Sequence, residues 1–196
     1  MTALILAIGW LLYFALHSVL ADLSVKAAII RAFPWLEKYY RLAYNSIFLA
    51  GLLGLALLSI SEWHLIYEAG TISQIVGSLL FICGFWIGYQ TVKTFDLPEF
   101  LGFKPSVREH TGASEKGLIT TGLYRYMRHP LYTGTTLFCA GIFFMVPAWP
   151  LAIFIICMCI YLPFGIHFEE KKLIREFGED YIRYQKKVSR LIPGLY

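Results

Sequence analysis

Uncharged apolar runs alternate with charged segments along this chain. Residues 2–21, 43–61 and 71–92 contain no Asp, Glu, Lys or Arg, and a helix needs about 20 such residues to cross the hydrocarbon core of a bilayer. The run 131–166 is too long for one crossing, and the prolines within 147–150 interrupt it, because proline breaks a helix. The pattern predicts an all-α fold, a polytopic membrane protein of about five transmembrane helices whose last two form a C-terminal helical hairpin.

The composition supports this fold class. The 196 residues are 58% hydrophobic and 15% charged, whereas soluble domains are typically about 45–50% apolar and about 25% charged. We expect one compact unit, with an N-terminal three-helix membrane region at 1–92 and a second region at 93–196. The four cysteines lie inside apolar runs without the spacing of metal ligands, so we expect no metal site.

The basic residues indicate how the helices are oriented. All 17 lysines and arginines fall in 22–42, 93–130 and the C-terminal tail, and the connections 62–70 and 147–150 contain none. Because basic loops stay on the cytoplasmic side, we expect the N-terminus outside and the C-terminus in the cytoplasm. The same rule accounts for the basic face, so this face gives no indication of nucleic-acid binding.

The tail has the pattern of an amphipathic helix. Apolar side chains recur at steps of three and four residues, which is the spacing of one helical face: Leu173, Phe177, Tyr181, Tyr184 and Val188. Such a helix either lies on the cytoplasmic membrane surface or folds back over a site that opens there. The stripe alone does not separate these two interpretations.

Polar side chains collect at two predicted helix ends. Arg128 and His129 directly precede Pro130, where an apolar run begins, and Glu169 and Glu170 follow the last run. Because the proline hairpin makes these two helices antiparallel neighbours, we expect the two polar pairs to meet. Adjacent carboxylates at a membrane border are costly without partners. They predict either a structural ion pair with Arg128 or a site for a ligand that carries both charge signs.

The residues at these helix ends resemble a known family. "KGLITTGLYRYMRHPLYTG", at 116–134, is followed after the hairpin by "EE..LI.EFGEDY..Y...V". Together they are similar to the integral membrane methyltransferases, which include isoprenylcysteine carboxyl methyltransferase, phospholipid methyltransferases and bacterial methanethiol S-methyltransferases. The resemblance covers roughly 90–196. "LHSVLAD" and "YYRLAYN" in the N-terminal half resemble the bacterial methanethiol S-methyltransferase and NnrU-like branch, which implies a bacterial inner membrane.

The resemblance implies S-adenosylmethionine as cofactor, bound on the cytoplasmic side. Matched residue by residue, the cofactor-binding positions are Lys116, Gly117, Leu118, Ile119, Tyr124, His129, Pro130, Leu131, Tyr132 and Glu169. Lys116 stands where the isoprenylcysteine enzymes have histidine.

Two residues are predicted to be catalytic. Arg128, or His129, would stabilise a thiolate acceptor, since the thiolate is the nucleophilic form of a thiol. Glu170 would orient Arg128 or act on the substrate proton. Gly165 stands where the isoprenylcysteine enzymes carry an arginine that faces the substrate carboxylate, which makes a carboxylate acceptor less favoured.

Three classes of function therefore remain open at this point. The first is a methyltransferase for a small lipophilic nucleophile such as a thiol. The second is a methyltransferase for a lipid or an isoprenylcysteine-type substrate, and the third is a non-enzymatic NnrU-like membrane protein. The presence of both motifs argues against the third. Contact with membrane lipids is expected in every case, and the sequence leaves the oligomeric state open.

Overall fold

The computed structural model describes residues 2–95, 97–101, 103 and 117–195. In these residues the protein is built from helices, with isolated backbone bridges between some of the connecting segments. Short 3-10 helices occupy Pro34–Tyr39 and Gly122–Arg125. The α-helices of the described residues are α1 Thr2–Ala21, α2 Leu23–Ala32, α3 Tyr40–Ile60, α4 Thr71–Val92, α5 Leu97–Leu101, α6 Pro130–Met145, α7 Trp149–Phe177 and α8 Glu179–Gln185.

Four of the described helices are long and apolar enough to cross a membrane. They are α1, α3 together with the 3-10 helix before it, α4 and α7. The fifth apolar helix, α6, has 16 residues, which is about 24 Å at a rise of 1.5 Å per residue and short of the hydrocarbon thickness of about 30 Å. The predicted polytopic all-α fold is confirmed.

Helix α7 differs from the expected end of the hairpin. It continues from Trp149 to Phe177 without interruption, so the last membrane helix and the start of the charged tail are one element. It ends at Gly178, whose φ of 56° and ψ of −130° suit a residue without a side chain. The stripe predicted as a single tail helix is therefore divided between α7, α8 and the segment after α8, which holds Val188. Its members still pack together, because Leu173 and Phe177 of α7 pack against the buried cluster of Tyr181, Tyr184 and Val188.

Packing groups the described residues into two compact units that do not follow chain order. The first contains 2–66, 97–101, 103 and 148–165. Leu6, Trp10, Ile153 and Cys157 form its buried core, and the rings of Trp10 and Phe154 meet edge to face with centroids 4.7 Å apart. The boundary predicted near residue 92 stays a prediction about function, since these units are defined by packing alone.

The second unit contains 67–95, 117–147 and 166–195, and it includes α4, α6 and α8. Helices α4 and α6 approach each other until their backbones touch. A Cβ atom added to Gly84 would lie 2.6 Å from the carbonyl oxygen of Gly134, and one added to Gly141 would lie 2.7 Å from that of Gly77. Small residues permit this approach inside a membrane, where helices associate by van der Waals packing.

Hydrogen bonds secure one end of the same helix pair. The Ser73 hydroxyl donates to the carbonyl of Phe144 at 2.6 Å, and the side-chain amide of Gln74 donates to the carbonyl of Met145 at 2.9 Å. The C-terminal end of α6 is therefore fixed by polar contacts and its middle by glycine contacts.

The glycine contact generates a stability prediction. We expect Gly84→Ala to lower the free energy of unfolding by about 2–3 kcal/mol, the upper part of the usual range for overpacking, because the added methyl group meets main-chain atoms that cannot rotate away. Gly88→Ala, one turn further along α4, adds a methyl group to open space and should cause no loss. Thermal unfolding in detergent micelles measures both, and equal stability of the two variants would contradict the predicted contact.

Candidate active site

The chain after α8 lies against the turn that precedes α6. The amide of Arg128 donates to the carbonyl of Ser189 at 2.8 Å, and the amide of His129 donates to the carbonyl of Arg190 at 3.0 Å. Met127 and Ser189 form a parallel bridge at the same place. This C-terminal strap, residues 189–191, therefore forms one wall of the region where the two polar pairs meet.

Arg128 is buried and connects three parts of the second unit. Its Nε and Nη2 donate to Oε1 of Glu170 at 2.9 and 2.8 Å. Its Nη1 donates to the carbonyl of Gln185 at 2.9 Å and to the carbonyl of Val188. All three guanidinium nitrogens are thus engaged by the end of α7 and by the end of α8. These contacts favour a positioning role for Arg128 over the stabilisation of a substrate anion, and its catalytic assignment stays a prediction.

His129 lies between the two adjacent carboxylates, as predicted from the meeting of the helix ends. Its Nδ1 is 3.6 Å from Oε2 of Glu169, its Nε2 is 3.3 Å from Oε1 of Glu170, and its side chain is 2% exposed. Burial alone would lower the pKa of the His129 imidazole, but the contacts with the two carboxylates outweigh burial and raise this pKa. The ring is therefore held as an imidazolium over a wider pH range than a free histidine.

The two glutamates differ in their surroundings. Glu170 is buried, with a 6% exposed side chain, and its Oε2 is 3.3 Å from Nη2 of Arg190. The side chain of Glu169 is 43% exposed and hydrogen-bonds to Tyr132, whose ring centroid is 5.7 Å from that of His129. Glu170 is therefore enclosed by protein cations, whereas Glu169 faces outward and is the carboxylate that a ligand can reach.

The other predicted cofactor residues lie on elements around this cluster. Leu118 packs against the cluster of Tyr181, Tyr184 and Val188, with Gly117 and Ile119 beside it in the same irregular segment. The carbonyl of Tyr124 accepts a hydrogen bond from the Tyr184 hydroxyl. Pro130 and Leu131 form the first turn of α6. Lys116 lies outside the described residues.

The structure adds two residues that the sequence did not single out. Tyr181 is 1% exposed, and its hydroxyl has no hydrogen-bond partner in the described part of the chain. Burial raises the pKa of this phenol, and the nearby Glu170 carboxylate raises it further. Arg190 is the second addition. In the sequence, Tyr181 is one member of an apolar stripe, so its unpaired hydroxyl gave no signal. Arg190 is one of several basic residues in the tail, and its contact with Glu170 depends on the course of the strap.

Comparison with known proteins assigns this arrangement to a family. The phospholipid methyltransferase family matches residues 72–180 of the chain. The methanethiol S-methyltransferase of Crocosphaera subtropica is 32% identical, over 98% of this chain and 75% of its own length. The chain therefore belongs to the phospholipid methyltransferase family of integral membrane methyltransferases, and the resemblance noted in the sequence is confirmed.

Other relatives share a smaller part of their length. A methanethiol S-methyltransferase of Pseudomonas deceptionensis is 32% identical, over 61% of this chain and 47% of its own length. The protein-S-isoprenylcysteine O-methyltransferase of Saccharomyces cerevisiae is 36% identical, over 41% of this chain and 34% of its own length. The match to this chain thus spans three quarters of the Crocosphaera protein, but less than half of the Pseudomonas and Saccharomyces proteins. No solved structure matches it.

The His129 contacts predict a pH dependence of stability. Because the folded-state pKa of His129 is raised above its unfolded value of about 6.5, its stabilising contribution is complete below that value and is lost as the pH rises through the folded pKa. We expect the difference in Tm between the wild type and His129→Gln to shrink as the pH is raised from about 6 to about 9. A Tm difference that stays constant over this range would contradict the charged pairing.

The tyrosine pair on α8 predicts opposite effects for the loss of one hydroxyl group. Tyr184→Phe removes a buried bond and leaves the carbonyl of Tyr124 without this donor, so we expect a loss of about 1–2 kcal/mol in the free energy of unfolding. Tyr181→Phe removes an unpaired buried hydroxyl and should leave stability unchanged or slightly higher. Chemical unfolding of both variants in micelles measures the difference, and a larger loss in Tyr181→Phe would contradict the assigned partners.

Proposed function

We propose that the protein transfers the methyl group of S-adenosylmethionine to the sulfur of a small lipophilic thiol. The observation that carries the proposal is the meeting of the buried Arg128, His129 and Glu170 with the partly exposed Glu169, in a chain that a methanethiol S-methyltransferase matches over almost its whole length. The distribution of lysine and arginine supports a site on the cytoplasmic face of a bacterial inner membrane, with the N-terminus outside.

The residues present fit the proposed cofactor. S-adenosylmethionine combines cationic groups and hydroxyls with a flat base. The outward-facing Glu169 carboxylate can pair with a cation, and Tyr132 beside it offers a ring and a hydroxyl. Leu118 supplies an apolar surface, and the unpaired hydroxyl of Tyr181 is a polar group that still requires a partner. We therefore assign cofactor binding to these residues with Gly117, Ile119, Tyr124, His129, Pro130 and Leu131, and also to Lys116 outside the described residues.

The cofactor supplies a methyl carbon that is already activated by a sulfonium, so the protein has to align the acceptor and exclude water. Alignment of reactants can lower a barrier by up to about 7–11 kcal/mol.

Glu170 accepts hydrogen bonds from Arg128 and His129 on one oxygen and faces Arg190 with the other. A carboxylate held in this way is stabilised in its ionised form and is a weak base. We assign Glu170 and Arg128 to the positioning of the site.

The acceptor is proposed to be a thiol because of the relatives and because of Gly165. This residue of α7 is buried, and a Cβ atom there would lie 3.2 Å from the ring of Tyr161. No cationic side chain is available at this position to bind a carboxylate. An isoprenylcysteine-type or lipid acceptor remains the second candidate, since the yeast relative at 36% identity is named for an isoprenylcysteine substrate.

Labelled S-adenosylmethionine tests the proposal directly. The purified protein in detergent is incubated with it and with small thiols, phospholipids or a prenylcysteine analogue, and label is expected in the thiol product. Label only in a lipid or in the prenylcysteine would select the second candidate. No label in any acceptor, together with no cofactor binding, would reject the proposed enzyme.

A matched pair of glutamates on α7 tests the cofactor assignment. Glu169→Ala should weaken the binding of S-adenosylhomocysteine by about tenfold or more, because it removes a charged partner. Glu176→Ala, an exposed glutamate two turns further along the same helix, should bind as the wild type does. Isothermal titration calorimetry measures both affinities, and unchanged affinity in Glu169→Ala would reject its role.

A further inference from the structure

The ionisable cluster of the site carries more positive than negative charge. Three cationic side chains, Arg128, His129 and Arg190, contact two carboxylates, Glu169 and Glu170. With the imidazole protonated, one positive charge in this group lacks a carboxylate. Arg190 is the most exposed of the three cations, and a guanidinium forms strong charge-assisted hydrogen bonds with an anion, so the cluster can accept a ligand group with one negative charge.

Arg190 is the one of these three cations that is exposed and has donors to spare for such a group. Arg128 has all three guanidinium nitrogens engaged by protein oxygens, and its side chain is 6% exposed. His129 is enclosed between both carboxylates at 2% exposure. The Arg190 side chain is 60% exposed, and its recorded contact within the described residues is a single one, Nη2 to Oε2 of Glu170 at 3.3 Å. Its other N–H groups belong to a largely exposed side chain and are accessible to a ligand.

The strap holds the main chain of Arg190 in place, whereas its guanidinium is exposed. The carbonyl of Arg190 accepts from the amide of His129 at 3.0 Å, and the carbonyl of the next residue, Leu191, accepts from the Thr133 hydroxyl at 2.9 Å. The main chain is thereby tied to the first turn of α6. From this anchor the long side chain can keep its contact with Glu170 or extend its free N–H groups to a ligand beside it.

We propose that Arg190 is the residue that binds the sulfur of the acceptor as a thiolate. The inference rests on the proposed function. S-adenosylmethionine has one net positive charge, from a sulfonium, an ammonium and a carboxylate, so its binding increases the positive excess of the cluster. A guanidinium beside the sulfur favours the ionised form of a thiol, and the proton released goes to solvent water. The C-terminal strap thus supplies the cation that a thiolate acceptor requires.

The test measures thiolate binding without turnover. The probe is 4-nitrothiophenolate, a coloured thiolate, added to protein saturated with S-adenosylhomocysteine, which has no methyl group to give. Arg190→Gln should weaken the binding of this probe by about tenfold to a hundredfold, because a charged hydrogen bond is lost, and Arg190→Lys should retain part of the affinity. The affinity for S-adenosylhomocysteine should be unchanged in both variants, which also shows that they are folded.

Arg183 is the matched control. It is an exposed arginine of α8 that, like Arg190, contacts one carboxylate, here that of Asp180. Arg183→Gln should bind the probe as the wild type does. In turnover with a small thiol, Arg190→Gln should raise the KM for the thiol and leave the KM for S-adenosylmethionine unchanged.

The outcomes separate this inference from the function on which it rests. If the wild type methylates thiols and Arg190→Gln binds the thiolate equally well, the role of Arg190 is overturned and the proposed function stands. If the wild type neither methylates thiols nor binds the thiolate while it binds S-adenosylhomocysteine, the thiol acceptor and the role of Arg190 are both overturned. Loss of probe affinity in Arg190→Gln alone supports the inference.

Discussion

The buried ion pair between Arg128 and Glu170 is the contact on which the site depends. Breaking a buried pair of this kind costs about 3–5 kcal/mol, because the remaining charge is left without compensation. The same guanidinium also donates to two carbonyls at the end of α8. Arg128 therefore links the turn before α6 to the charged end of α7 and the end of α8 through its side chain, and to the C-terminal strap through its amide. Glu169, one residue from Glu170, is presented outward by this arrangement.

The ion pair forms at the N-terminal end of α6, and the glycine contacts between α4 and α6 hold this helix in position. Between helices in a bilayer there is no hydrophobic driving force, so close packing has to provide the attraction. Gly84 and Gly141 allow main chains to touch, which removes the freedom of α6 to slide or rotate. Polar chemistry at one end of the second unit thus relies on apolar packing at its centre.

The sequence predicted those parts of the fold that the bilayer constrains. Uncharged runs of spanning length are helices in lipid, because every main-chain polar group must be paired internally, and the meeting of His129 with the two glutamates followed from the proline hairpin. The helix break at Gly178 was not predicted, because the apolar stripe continues across it. The contact of Arg190 with Glu170 was not predictable from spacing, since it depends on a strap that pairs in parallel with the turn containing Met127, Arg128 and His129.

The short length of α6 has a consequence for how an acceptor reaches the cluster. The helix is about 6 Å shorter than a typical hydrocarbon core, and this hydrophobic mismatch is relieved by local thinning of the bilayer or by sinking of the polar turn at its end. Either adjustment brings the cationic cluster closer to the acyl chains than a full-length helix would. A lipophilic molecule dissolved in the membrane then has a short path to the cluster, without first leaving the bilayer for water.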